Sequence, residues 1–159
     1  MKIKSCIYLI VIFGLLSGCY YTFTEKPYIQ IKTIAVKPFE NETQQYGIAS
    51  LTTSLLIQKI QGSSGYSIAD EERADGIIEG KIIYYSREVN TYDAQENPLD
   101  YIIKVRARVA LIERVSGKKL FESTFEGFAT FPLDGDEDKA TNEAVEMLAQ
   151  RIYEKLKGG

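Results

Sequence analysis

Tyr101-Ile102-Ile103-Lys104-Val105-Arg106-Ala107-Arg108-Val109-Ala110-Leu111-Ile112-Glu113-Arg114 is the stretch that decides the fold. Ile103, Val105, Ala107, Val109 and Leu111 share one face, while Lys104, Arg106 and Arg108 share the other. Alternation with a period of two over this length makes a half-buried strand; a helix needs apolar residues every three or four. The next run, Lys119 to Phe131, also places its apolar residues at odd positions: Phe121, Phe125, Ala129 and Phe131. Two antiparallel strands that both turn odd positions inward must pair odd with odd. A two-residue turn at Ser116-Gly117 breaks that parity. A three-residue loop, Val115-Ser116-Gly117, preserves it, with Gly117 in the left-handed position of a G1 bulge. The expected register sets Leu111 opposite Phe121, Ala107 opposite Phe125 and Arg106 opposite Glu126.

Working outward, Gly76 to Asn90 is a third long strand, carrying Ile77, Ile78, Ile82, Ile83, Tyr84, Tyr85 and Val89; a polar loop, Tyr92 to Pro98, follows it. Ile31 to Lys37 alternates, is β-branched, and stops at Pro38, so it reads as the first strand. Phe39 to Thr43 reads as a polar loop, and Tyr66-Ser67-Ile68 as a possible short strand. Gln45 to Gln61 has Ile48, Leu51, Leu55 and Ile60 at helical spacing, but Gly47, Thr52 and Thr53 lower its intrinsic propensity, so this helix needs a sheet to lean on. After Pro132, an acidic run leads into a second helix whose apolar face is Ala140, Ala144, Val145, Leu148, Ala149, Ile152 and Leu156. Its acids come first and Lys155 and Lys157 last, as the helix dipole favours. The expectation is α+β: a two-layer sandwich with two helices packed on one face of a mainly antiparallel four-stranded sheet, in the order β-α-β-β-β-α. The opposite sheet face is left without cover from the chain.

Upstream, Lys2 and Lys4 precede an apolar run from Cys6 to Leu16, which ends in Leu16-Ser17-Gly18-Cys19. The run has signal-peptide length and is short for a bilayer span. Charge, apolar core, small residues and cysteine in this order resemble a lipobox. The expected organisation is a lipoprotein signal peptide over 1–18, removed; a lipidated tether over 19–30, acylated at Cys19; and a single domain over 31–159. Processing leaves 17 basic against 22 acidic residues, a formal charge of about −5, which does not draw the domain as a whole to nucleic acid. The only mature thiol is lipid-blocked, so no disulfide is expected. The chain contains 0 histidines, which removes Cys/His zinc sites and Ser-His or Cys-His catalysis from the inventory. Membrane attachment is then through acyl chains, of which one holds marginally and two or more hold firmly.

The remaining constellations are weak. Asp134, Asp136 and Asp138 imitate an EF-hand opening, but Lys139 stands where glycine is needed and Val145 where the last glutamate is needed. Gly62-Ser63-Ser64-Gly65 follows a helix and lacks the phosphate-loop lysine. No metal site, cofactor site or enzyme is expected. Lys104, Arg106 and Arg108 form the sharpest candidate: three cations on one strand face, spaced roughly 7 Å apart, a spacing suited to phosphorylated lipid head groups. The bland alternative pairs them across the strand with Glu122 and Glu126 as a solvated face.

Taken in order, the pieces resemble a known family: Ile31-Lys32-Thr33-Ile34-Ala35-Val36, then Pro38-Phe39-Glu40-Asn41-Glu42-Thr43, Tyr46-Gly47-Ile48, Ala74-Asp75-Gly76-Ile77-Ile78-Glu79-Gly80, Tyr85-Ser86-Arg87-Glu88 and Arg114-Val115-Ser116-Gly117-Lys118. Behind a lipobox, this is similar to the LptE family of lipopolysaccharide-assembly lipoproteins. The resemblance implies a non-enzymatic outer-membrane lipoprotein on the periplasmic side. It also implies a β-barrel partner that the protein plugs and helps to fold, contact with lipopolysaccharide, and two helices on a four-stranded sheet. Two other classes stay open: a periplasmic regulator lipoprotein that activates cell-wall synthases, and a lipoprotein subunit of a secretion pore. The tether of about ten residues is short for the first, and no spare amphipathic hairpins serve the second.

Overall fold

The computed structural model describes Tyr28 and residues 30–158. The expected signal peptide, Cys19 and most of the expected tether lie outside these residues. Eight elements follow one another: β1 (Thr33–Val36), β2 (Glu40–Asn41), α1 (Ile48–Gln61), β3 (Ser67–Ile68), β4 (Gly76–Tyr92), β5 (Pro98–Glu113), β6 (Lys119–Pro132) and α2 (Glu137–Lys157). The sheet has six strands in the order β3-β1-β4-β5-β6, with β2 beside β4 as well.

The α+β layering is as expected, but the sheet is mixed, with six strands in place of four. β1 lies parallel to both β3 and β4, and β2 parallel to β4. The physical reason is the helix between β1 and β3. A helical crossover returns the chain to the same end of the sheet, and so produces a parallel neighbour. Segments as short as Glu40–Asn41 carry no period of their own; they are strands only because the β4 edge offers partners. Asp75 locks the parallel junction. Its Oδ2 accepts the backbone N–H groups of Lys32 and Thr33, each at 2.9 Å. These donors hold the Asp75 carboxyl below the usual carboxylate range.

β4, β5 and β6 form the antiparallel meander. Leu111 faces Phe121, Ala107 faces Phe125 and Arg106 faces Glu126, the register that parity demands. The turn itself differs. Glu113 N–H bonds Lys118 O at 2.9 Å, which closes a four-residue loop, Arg114 to Gly117, instead of three. The extra loop residue is offset by a register shift between Leu111 and Ile112, so odd still meets odd beyond it. Gly117 has φ 70° and donates to Glu113 O at 2.9 Å, the left-handed role that keeps this position open to glycine.

α1 begins at Ile48, later than Gln45, because Gly47 at φ 81° turns the chain into it. Thr52 and Thr53 send their hydroxyls back to the carbonyls of Ile48 and Ala49, at 2.7 and 2.8 Å, which satisfies them inside the helix. α2 is capped by Asp136, whose side chain accepts Lys139 N–H at 3.0 Å. Both helices pack on one sheet face, around Ile34, Ile78, Ile82, Ile103, Val105, Leu111, Leu56, Leu148 and Ile152. Tyr66 ties β3 to the end of α2 through its hydroxyl, which donates to Leu156 O at 2.8 Å. At Gly127 the α2 backbone lies directly on β6: a Cβ there would sit 2.0 Å from Ala144 O.

Candidate functional site

The face away from the helices is made by the meander, and a bulge decides which side chains reach it. In β4 the pairing steps from Ile82–Ala107 to Tyr84–Arg106, leaving Ile83 as the extra residue. Before the bulge, even positions turn to the helices; after it, odd positions do. Tyr85 therefore turns inward, where its hydroxyl lies 3.1 Å from Thr141 Oγ1. Tyr84, Ser86 and Glu88 turn outward. Three rows then cross the open face: Lys81–Arg108–Thr124, Tyr84–Arg106–Glu126 and Ser86–Lys104–Phe128.

All three sequence-selected cations lie on this face, in three different settings. Lys104 Nζ is 2.8 Å from Glu88 Oε2. The other Glu88 oxygen accepts the hydroxyls of Ser86 at 2.7 Å and Tyr84 at 3.0 Å. Lys104 and these two hydroxyls pull the Glu88 carboxyl down to about 2, while Glu88 raises Lys104. Arg106 pairs with Glu126, directly opposite, and lies over the Tyr84 ring at 4.8 Å from its centre. Arg108 has no carboxylate within ion-pair range among the described residues. Its cross-strand neighbour is another cation, Lys81, and Glu122 instead pairs with Lys119 at 2.8 Å. Of the two acids of the cross-strand alternative, Glu126 forms an ion pair with Arg106, while Glu122 is held mainly by Lys119 and feels Arg108 only at longer range. Glu88, the partner of Lys104, is missing from the sequence reading because its face depends on the bulge.

Arg108 opens into a groove of about 360 Å³ where β1 ends and Pro38 leaves the sheet. Lys37 lies there with Glu71 and Glu79 at 2.9 and 3.0 Å, and Lys81 with Glu40 and Glu42 at 2.7 and 3.7 Å. The open face is therefore a lattice of alternating charges in which Arg108, beside Lys81, is the cation without an ion pair among the described residues. Exposed pairs of this kind are worth about 0–1 kcal/mol each. Among the described residues no cluster of three metal-ligating side chains occurs.

The comparisons with known proteins bear on the same chain segment. The family model described as LptE, lipopolysaccharide-assembly, matches residues 31–156. The chain belongs to the LptE family. The match begins at the strand that opens the sheet and ends in α2, so it includes the bulge, the meander and the whole open face. Solved structures share the LptE-like fold at low identity. Protein XCC0632 from Xanthomonas campestris is 11% identical, with 84% of this chain and 85% of that chain covered and a TM-score of 0.56. The hypothetical protein CT253 from Chlamydia trachomatis is 10% identical, with 79% and 93% covered and a TM-score of 0.56. Lipoprotein B from Nitrosomonas europaea is 12% identical, with 80% and 81% covered and a TM-score of 0.51. No curated protein matches the chain at a significant level.

Proposed function

We propose that this LptE-family chain is a non-enzymatic lipoprotein of the outer membrane, anchored through acylated Cys19 and facing the periplasm. It partners and plugs a β-barrel translocon and assists the assembly of lipopolysaccharide there. The family match over residues 31–156 carries the reading. The order of charge, apolar core and Leu16-Ser17-Gly18-Cys19 supports the anchor. A detergent pull-down with the full chain should recover an outer-membrane β-barrel. Recovery of cell-wall synthases without any barrel would sink the proposal.

Within this function, Lys104, Arg106 and Arg108 are the proposed contact for the anionic head groups of lipopolysaccharide. Arg108 is the leading residue, because the other two already hold carboxylates. Replacing all three with glutamine should weaken lipopolysaccharide binding by about tenfold, equivalent to about 1.4 kcal/mol, with the folded circular dichroism spectrum retained. Arg108→Gln alone should produce most of that loss. Binding equal to that of the wild type would return the stripe to an ordinary solvated face.

A further inference from the structure

The chain enters the domain at one end of the sheet. Ile31 N–H donates to Tyr28 O at 2.9 Å, and the Tyr28 ring lies 6.0 Å from that of Phe121, at the base of the hairpin that joins β5 to β6. Gly76, the first residue of β4, pairs with Glu113 at this same end. The last turn of α2 arrives there too: Tyr66 holds Leu156 O beside the start of β3, which pairs with the start of β1. Cys19 lies nine residues before Tyr28. Even fully extended, that stretch keeps Cys19 within about 30 Å of this end. The opposite end, formed by the β4–β5 loop and the start of α2, is about 50 Å away along β5.

The two ends differ in charge. The far end carries Asp93, Glu96, Asp134, Asp136, Glu137 and Asp138, of which Glu137 pairs with Arg87 at 2.9 Å. The near end presents Arg114, Lys118 and Lys157, none within ion-pair range of a carboxylate among the described residues. Arg114 Nε donates to Ala74 O at 2.6 Å, and Lys157 lies over the Tyr153 ring at 5.6 Å from its centre. The nearby acids are already engaged. Asp75 accepts the N–H groups of Lys32 and Thr33, Glu113 accepts the Ser116 hydroxyl, and Glu122 pairs with Lys119. Between Arg114 and Lys118 stands Val115, 83% exposed. An apolar side chain on a turn flanked by cations suits a membrane interface, where the cations meet head-group phosphates and the apolar group meets the acyl boundary.

We propose that the Arg114–Gly117 loop, with Lys118 and Lys157, rests on a phospholipid surface bearing anionic head groups, so that the domain stands end-on at the membrane with its acidic end pointing away. The contact rests on the acylation of Cys19 proposed above; it needs neither the barrel partner nor the lipopolysaccharide contact. The anchor brings the loop within reach of the surface. Like-charge repulsion keeps the far end off it, and each cation at an anionic surface strengthens the contact about fivefold.

The test uses the full lipidated chain, which contains no tryptophan, so a single introduced indole reports its own position. Val115→Trp places it on the loop. Leu99→Trp, at a position 52% exposed, places a matched probe at the far end. Each variant is added to preformed vesicles of phosphatidylcholine, with or without phosphatidylglycerol, built with brominated acyl chains. Flotation reads the anchor, and bromine quenching reads the contact. With phosphatidylglycerol present, the indole of Val115→Trp should be quenched and blue-shifted, and that of Leu99→Trp should be neither. On phosphatidylcholine alone both indoles should stay in water. Adding Lys118→Gln and Lys157→Gln to Val115→Trp should weaken the contact about 25-fold, with the folded circular dichroism spectrum retained. Equal quenching of the two probes, whether both are buried or both stay in water, overturns the inference. So does quenching of Val115→Trp that is the same on both lipids, or that the two glutamines leave unchanged. Loss of flotation on phosphatidylcholine sinks the acylation of Cys19, while quenching on phosphatidylglycerol still decides the contact.

Discussion

Gly127→Ala tests the central packing contact of the molecule. Gly127 is paired with Val105 in the middle of the meander and lies under α2. A Cβ built there meets Ala144 O at 2.0 Å, Leu148 N at 2.6 Å and Leu148 Cβ at 2.9 Å. Two of these obstacles are helix backbone, which cannot rotate away as a side chain can. Restoring ordinary contact, near 3.5 Å, requires α2 to rise by on the order of 1.5 Å. That lift also loosens Ala144 and Leu148, both fully buried at 0% exposure. Overpacking of this type costs about 1–3 kcal/mol, and a rigid obstacle belongs at the upper end. Alanine recovers roughly 0.5–1 kcal/mol of chain entropy relative to glycine. The expected net loss is about 2 kcal/mol, or a melting temperature lower by about 4–8 °C for a domain of this size. Urea and thermal unfolding followed by circular dichroism measure it. Gly65→Ala is the control, since a Cβ there meets only Ser63 Oγ at 3.9 Å, and it should change stability by less than about 0.5 kcal/mol. A Gly127→Ala variant as stable as the control would refute the claim that α2 is seated on the β6 backbone.

Two further predictions concern polar links. Tyr66→Phe removes the hydroxyl that donates to Leu156 O in a buried setting, and should cost about 1–2 kcal/mol in urea unfolding; no loss would mean that solvent replaces the bond. The Glu88 carboxyl titrates near 2 in the folded chain, below its ordinary value, because Lys104, Ser86 and Tyr84 stabilise the charged form. Its contribution to stability is then fully present above the ordinary carboxylate range and is lost as pH falls from about 4.5 toward 2. The stability difference between wild type and Glu88→Gln should shrink across that window, and a carbon-detected titration of the Glu88 carboxyl should fall near 2. A midpoint at the ordinary glutamate value would remove the cluster from the account of this face.

Much of the open face is already legible in the chain. β5 announces itself by alternation, and the parity of Phe121, Phe125 and Arg106 is enough to place β6 in register, because one slipped residue would turn every apolar side chain to water. The three cations therefore lie on one face whatever the loop does. The loop was less legible: four residues and a compensating bulge satisfy the same parity as three residues and none. β4 was harder still. Ile77, Ile78, Ile82, Ile83, Tyr84 and Tyr85 are apolar or aromatic on both parities, so nothing local marks Ile83 as the bulge or Glu88 as outward.

The sequence by itself determined the class of the fold, the meander with its register, the two amphipathic helices and the cationic stripe. These follow from periodicity, which is a local property with a physical cause in burial. Only the tertiary structure decided that the sheet is mixed, that Lys104 and Arg106 hold carboxylates while Arg108 does not, and that α2 rests on bare backbone at Gly127. Each of these depends on contacts between residues far apart in the chain. Short strands such as β2 and β3 have too few residues to express a period, and exist only where an edge stands ready to pair with them.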